Sequence, residues 1–422
     1  MPSQPAEVSV DAEPTSRGER GAQIVGLETL RSSVQPNVCI VQLHTEDGRT
    51  GLGETFYGAR AVEAYLHESV APLLLGKSNP SPEFVSSMLR PYVGYQGSGA
   101  EMRGNSAVDM ALWDLMGQVT GKPVYELLGG PVRESIPVYN TCAGSGYIKD
   151  QPRQSSENWG LDLSDRADGR YEDLAAFLAR PGELALDLWN SGFRGMKIWP
   201  FDRAAEATGG AEIDAAALEA GIEIVAAVRR AVGPEMRLLV ECHGLWHLPA
   251  AMRLARALEP YDIYWLEDPL RPDNVGALAE LTRSTSIPVA VGETVCGQRN
   301  FRSLLEARAI DIAIIDVAWT GGLTEARKIA TMADSYGVPI APHDCTGPIS
   351  LAAAVHLLMS SPNGLIQETC RAFYHGWYRE LVTQEPLIKD GSLRPWQGAG
   401  LGVDLIDGLE HAPHVDRRIS GI

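Results

Sequence analysis

The sequence predicts an α/β fold, a (β/α)8-type TIM barrel preceded by an N-terminal α+β region. Three observations carry that expectation. Eight short β-rich runs recur over about 235 residues, each followed by a longer helical stretch, as in a parallel barrel. Ahead of them, alternating strand-like runs give way to amphipathic helical patterns. Behind them, "KDGSLRPWQGAGLGVDLI" carries no helix–strand repeat and leaves the barrel. The expected organisation is a tail over residues 1–22, an α+β domain over 23–132, the barrel over 133–378 and a C-terminal segment over 379–422.

The start, "MPSQPAEVSVDAEPTSRGERG", lacks the apolar core of a signal peptide and the basic, acid-poor makeup of a transit peptide, so it reads as a disordered tail. From Val38, "VCIVQLHTEDGRTGLGETF" gives two alternating runs joined by the turn signal Asp47-Gly48. A helix follows over Ser106–Val119, with Val108, Leu112, Leu115 and Val119 on one face, Asn105 as its cap, and Gly121 and Pro123 ending it. The barrel strands are expected at 136–141, 195–198, 237–240, 263–266, 288–291, 311–315, 338–341 and 365–367. Residues 150–170 are polar and glycine-containing, which places an excursion over the barrel mouth between the first two strands.

Composition narrows the function classes. A chain of 422 residues with 45% hydrophobic residues, 43 glycines and 27 prolines is globular with many tight connections. A formal charge of −18 argues against nonspecific binding to nucleic acid or anionic membrane, and no apolar run approaches the roughly 20 residues of a membrane helix. Cys39, Cys142, Cys242, Cys296, Cys345 and Cys370 include no pair at CxxC spacing and read as reduced core residues of a cytoplasmic protein.

In such barrels functional groups sit just past the strand C-termini. Those positions hold Lys197, Glu241 with His243, Glu267, Glu293, Asp316, His343 and Glu368. Glu241, Glu267 and Glu293 end three consecutive strands at intervals of 26 residues. Neighbouring strands lie about 4.8 Å apart, so the three carboxylates would crowd and repel. Any one glutamate alone reads as half of a salt bridge. Three at equal spacing read as an oxygen cage for Mg2+, with Mn2+ as a substitute. Asp316 and His343 end the next two strands, where a carboxylate fixes an imidazole's tautomer and raises its basicity, as a general base requires. His44, His67, His356, His411 and His414 read instead as histidines satisfied by neighbours.

These parts specify a reaction class. A metal held by three carboxylates stabilises the charge that grows when the proton α to a substrate carboxylate is removed, and His343 is the residue that takes it. His243, on the same strand face as Glu241, is placed to protonate and expel a β-hydroxyl. Lys197 either binds the substrate carboxylate or serves as an alternative base, against the bland reading of a solvated rim lysine. Loops Thr55–Ala59 and Tyr92–Arg103 are expected to close the mouth, with Tyr57, Tyr95, Trp199, Trp246, Trp319 and Trp377 as candidate pocket aromatics.

The same residues resemble the enolase superfamily, mandelate racemase subgroup, over nearly the whole chain after the tail. "NSAVDMALWDLMGQVTGKPVYELLGG" looks like the helix joining that family's capping domain to its barrel, and "GLGVDL" like the C-terminal segment that returns to complete the cap. The resemblance carries the metal ligands onto Glu241, Glu267 and Glu293 and the Asp–His dyad onto Asp316 and His343. It carries onto Glu368 the glutamate that hydrogen-bonds the enediolate oxygen. "ECHGLWHLPAAMRLARALEPY" and "APHDCTGPISLAA" resemble the galactonate/mannonate branch, which implies an acid-sugar dehydratase making 2-keto-3-deoxy acids, with His243 as the acid, and a homo-oligomer. Two departures stand out. Racemases of the subgroup carry Lys-x-Lys on the second barrel strand, whereas Lys197 is followed by Ile198 and Trp199. Glu241 stands where dehydratases of the branch usually carry aspartate. A one-base isomerase, epimerase or cycloisomerase of a related carboxylate, and a barrel that binds metal and ligand without turnover, remain as alternatives.

Overall fold

The computed structural model describes residues 22–90, 97–149 and 170–422. Tyr95, nearly all of the expected tail, the first half of the expected lid and almost all of the expected 150–170 excursion lie outside the described residues.

Strands β1 (Ile24–Ser32), β2 (Gln35–Thr45) and β3 (Thr50–Phe56) form an antiparallel meander. The β2–β3 turn falls at Asp47-Gly48, where Gly48 has a φ of 86°. β1 was not expected, because it is buried along almost its whole length and shows no clean alternation. The long helix spans Ala100–Thr120, starting a turn and a half earlier than its periodicity suggested. Asn105 is therefore not its cap. Its amide donates to the Leu89 carbonyl and its oxygen accepts from the Tyr65 hydroxyl. Val119, expected on the buried face, is 46% exposed. Gly121 ends the helix in the left-handed region, φ 67°.

This helix can lie close on β3 because two residues facing it lack side chains. A Cβ at Gly53 would stand 1.8 Å from the Ala107 carbonyl oxygen, and one at Gly51 2.2 Å from that of Ala111. The helix also ties the cap to the rest of the chain. Asp114 accepts from the Leu52 and Leu401 amides, Asp109 from the Thr324 amide, and the Trp113 indole donates to the Thr324 hydroxyl.

Eight parallel strands follow: β4 (Ile136–Thr141), β5 (Gly195–Ile198), β6 (Arg237–Glu241), β7 (Trp265–Glu267), β8 (Val289–Val291), β9 (Ile312–Ile315), β10 (Ile340–Pro342) and β11 (Gln367–Thr369). Each pairs with the next from β4 to β10, and β11 pairs with β4. A parallel bridge between Ile340 and Gly364 closes the ring. The interior is filled by Tyr139, Leu239, Trp265, Ala290, Ile312, Ile314, Ala341 and Ile366. The barrel is a packed core, and the chemistry is left to its rim. β12 (Leu387–Lys389) and β13 (Ser392–Arg394) form a hairpin that meets β4 antiparallel. β14 (Val415–Gly421) returns to the first sheet and pairs antiparallel with β1. Among the described residues no helix is long and apolar enough to cross a membrane.

Candidate active site at the strand ends

Glu241 and Glu267 close β6 and β7 in direct register, and Glu293 follows β8 after Gly292. Gly292 has a φ of 138°, and a Cβ there would stand 2.5 Å from the Ile314 carbonyl oxygen, so only glycine lets the chain turn Glu293 inward. The three glutamates are fully buried and each offers a carboxylate oxygen within 4.8 Å of the others. The Lys197 ammonium, from β5, stands 2.8 Å from Glu267 Oε1, 2.8 Å from Glu368 Oε1 and 3.5 Å from Glu241 Oε2. Glu241 Oε1 accepts from the Cys242 and His243 amides, whereas its buried Oε2 has no hydrogen bond among the described residues. An all-oxygen donor set with an unsatisfied buried oxygen fits a hard divalent cation.

His343 follows β10. Its Nδ1 lies 2.7 Å from Asp316 Oδ2, and its Nε2 3.5 Å from Glu293 Oε2. Asp316 is fixed in turn by the Ala318 amide, 2.7 Å from its Oδ1. Glu368, on β11, accepts from the Thr141 hydroxyl and from the Asp344 amide. On the third strand, His243 has a left-handed backbone, φ 48°, with Nδ1 2.7 Å from Asp202 Oδ2 and Nε2 3.4 Å from the Tyr147 hydroxyl.

The electrostatics follow from four glutamates sharing a dry space with Lys197, His243 and His343. Burial pushes Glu267 well up against the pull of Lys197, with Glu241, Glu368 and Glu293 adding to the rise, and it also raises Glu293. Glu241 and Glu368 go the other way. Burial opposes their charge, but His243 and Lys197 hold Glu241 below its usual value, and Lys197 and His343 hold Glu368 down at about 2. Lys197 is itself disfavoured by burial, yet Glu267 and Glu368 hold its ammonium well above the usual value. His343 is pushed down by burial and drawn well up by Glu293, Glu368 and Asp316, while Asp202 and Glu241 likewise overcome burial to draw His243 up to about 9. A base must be neutral to accept a proton, and a cation among the glutamates opposes the pull on His343.

Tyr57, Trp199 and Trp319 line the cavity that holds Lys197, His243, Glu293, His343 and Glu368. Trp246 and Trp377 do not. Trp246 is turned into the layer between strands and helices after the Gly244 bend. Trp377 packs on Phe373 and Tyr378 and edges a different cavity, with Ser145, Lys149 and Glu172. Four residues beside the site escaped the sequence reading: Thr141, Tyr147, Asp202 and Arg103. Thr141 ends β4 and was missed only because the strand-end rule was applied to ionisable groups. The Arg103 guanidinium covers the Trp319 ring at 4.6 Å and that of Tyr57 at 5.4 Å. Of the histidines read as satisfied, His44, His67 and His356 hydrogen-bond to Glu28, Thr29 and the Leu401 carbonyl, whereas His411 is exposed.

Known proteins share this arrangement of domains. Residues 25–129 match the mandelate racemase / muconate lactonizing enzyme N-terminal domain, and residues 182–408 the enolase C-terminal domain-like family. A D-galactonate dehydratase family member of Streptomyces bingchenggensis is 33% identical over 92% of both chains. The D-xylonate dehydratase of Haloferax volcanii is 31% identical over 93% of this chain and 89% of its own. A crystal structure of an enolase of the mandelate racemase subgroup from Agrobacterium tumefaciens superposes with a TM-score of 0.83 at 40% identity, covering 94% of this chain and 99% of that one. The glutamate cluster, the Asp–His pair and the two matched domains agree, and the chain belongs to the enolase superfamily, in its mandelate racemase subgroup.

Proposed function

We propose that the protein is a Mg2+-dependent acid-sugar dehydratase that converts a 2,3-dihydroxy acid into a 2-keto-3-deoxy acid. The observation that carries this reading is a pair of histidines lining one cavity, each backed by its own aspartate at 2.7 Å, beside three clustered glutamates. One histidine accepts a proton and the other donates one, as elimination of water requires. The names of the relatives, a D-galactonate dehydratase family member and a D-xylonate dehydratase, support the substrate class.

Glu241, Glu267 and Glu293 would hold the cation, which supplies positive charge against the substrate carboxylate as its α-carbon is deprotonated. His343 Nε2 takes the proton from C2, with Asp316 holding the ring. Lys197 and Glu368 form one buried ion pair at 2.8 Å, with Glu368 fixed also by Thr141 and Asp344, and the Lys197 ammonium is the member of the pair that would donate to the oxygen that becomes enolic. His243 gives a proton to the C3 hydroxyl, which leaves as water. The resulting enol takes a proton at C3 and ketonises. The bonds broken are C2–H and C3–O, and no oxidant is consumed. Tyr57, Trp199 and Trp319 wall the substrate in and keep bulk water from the intermediate. Self-association is a separate expectation, read by the elution volume of the purified protein.

The test is a panel of mono- and diacid sugars, including D-galactonate and D-xylonate, assayed with semicarbazide for 2-keto acid. At least one should give product with Mg2+ and none with EDTA. Turnover indifferent to chelator, or an isomer in place of a keto acid, would overturn the reading.

A further inference from the structure

We propose that Asp202 is a positioning residue that locks His243 in the ring orientation from which Nε2 reaches the substrate. The proposal rests on the reading of His243 as the acid that expels the hydroxyl. It assigns the device that makes a histidine on a strained backbone serve that role.

Four observations support it. Asp202 is fully buried, and its Oδ2 lies 2.7 Å from His243 Nδ1, a contact made across 41 residues of chain. With Nδ1 engaged there, Nε2 is the nitrogen on the side of the Tyr147 hydroxyl, 3.4 Å away, and both residues line the cavity. The His243 backbone sits at φ 48°, a region that residues with side chains rarely adopt, held by amide bonds from His243 to Glu241 Oε1 and from Gly244 to the Asp268 carbonyl. Rotating the imidazole away would leave a buried carboxylate without its partner, since Asp202 Oδ1 already has no hydrogen bond among the described residues.

Asp202 is itself rigidly placed. It opens the helix Asp202–Thr208 directly after Phe201, whose ring is wholly buried against Gly221, where a Cβ would come within 2.2 Å of it. A support fixed this way holds a side chain to the tolerance that proton transfer needs. The arrangement repeats on the third strand the logic of Asp316 and His343 on the sixth and seventh. Asp202, however, comes from the start of the helix after β5 rather than from a strand end.

The experiment uses D202N, H243N and the double variant with Mg2+ in D2O, following two signals across the acid-sugar panel. These are C2 deuterium in recovered substrate and 2-keto acid formed. D202N should lower kcat for water loss by about 100-fold with KM within about 3-fold, while C2 exchange survives. The double variant should be no worse than H243N alone, because the two residues act as one unit. Equal loss of exchange and water loss in D202N, or additive losses in the double variant, would reduce Asp202 to a structural carboxylate. Long-range 15N–1H spectra of the Mg2+-loaded wild type, with labelled histidine, give a second reading that needs neither substrate nor a folded variant. His243 should carry a hydrogen-bonded proton on Nδ1, and a bare Nδ1 overturns the proposal. If H243N leaves water loss intact, the assignment of the acid fails, and the spectra still decide whether Asp202 holds the ring.

Discussion

Glu54 offers a test of how the cap is fastened to the barrel. It stands on β3, is wholly buried, and receives the Ile349 and Ser350 amides at the start of the helix Pro348–Ser360 at 3.4 and 3.2 Å. Burial outweighs those two donors and pushes its carboxyl from 4.5 up to about 7. Between about pH 4.5 and 7 the folded protein therefore keeps a proton that the unfolded chain has released. The stability this proton represents is complete below about pH 4.5 and is lost as pH rises through about 7. The shift corresponds to about 3 kcal/mol, undiscounted because the group is shut away from solvent. Glu54→Gln removes the titration but keeps one carbonyl oxygen where two oxygens each take an amide, so one of the two donors faces an NH2. At pH 4.5 the variant should therefore lie about 1–3 kcal/mol below wild type. By pH 8 the variant should have gained about 3 kcal/mol relative to wild type, read as urea midpoints at fixed protein and Mg2+ concentration. Asp109 and Asp114, raised by burial to about 7 and about 6, contribute a background of the same sign that cancels in the difference. A stability difference that stays constant with pH, or that shifts in favour of wild type toward pH 8, refutes the argument.

Other perturbations bear on the site and on the packing that holds it. Glu293→Gln should lower Mg2+ affinity at least 100-fold by calorimetry while leaving the fold no less stable in EDTA, since it removes a carboxylate that burial and Glu241 already disfavour. Lys197→Met should cost about 3–5 kcal/mol in EDTA, because three buried carboxylates lose their counter-ion, and less in Mg2+; a loss unaffected by Mg2+ would separate the lysine from the cation site. His343→Asn should abolish deuterium incorporation at C2 of every substrate, measured by proton NMR. Gly53→Ala should destabilise by about 3 kcal/mol or more, because the helix cannot close on β3 around a methyl group, and an unchanged urea midpoint would contradict that packing.

Legibility in the sequence followed periodicity. A barrel strand exposes its last residue to the mouth, so the strand-end rule picks out functional side chains without knowledge of their contacts. Glu241, Glu267, Glu293, Asp316, His343 and Glu368 all stand at or just past such ends in the structure. Asp202 lies beyond that rule, since it opens the helix after β5 and its contact with His243 spans 41 residues. Tyr147 comes from a loop, after β4. The aromatic assignments divided for the same reason. Trp199 and Trp319 follow β5 and β9 within four residues and reach the cavity, whereas Trp246 and Trp377 lie beyond turns whose direction composition does not encode. The early start of the long helix was hidden because Ala100, Glu101 and Arg103 are polar or small and show no apolar period.

The replacement of a second lysine by Trp199 has a stereochemical consequence that separates dehydration from epimerisation. In an eight-stranded ring the third and seventh strands face each other, so on the proposed reading His243 and His343 would approach the substrate from opposite sides. Trp199 stands beside His243, its ring 5.8 Å from the imidazole, 5.4 Å from Tyr147 and 5.1 Å from Phe177, with its indole nitrogen making no hydrogen bond among the described residues. It walls that side and moves no proton. Lys197 is no substitute, because Glu267 and Glu368 keep it charged. With His243 changed to asparagine, His343 would be the remaining histidine of the cavity able to return a proton to C2, since burial holds the Tyr147 hydroxyl well above its usual range. Substrate recovered from H243N in D2O should therefore carry deuterium at C2 with its configuration retained. The C2 epimer should form at least about tenfold more slowly than exchange, a barrier difference of about 1.4 kcal/mol. Proton NMR reads both, through the vanishing C2 signal and the epimer's own resonances. Epimer appearing as fast as exchange would mean that a base acts from the Trp199 side, and the reaction would then be an isomerisation.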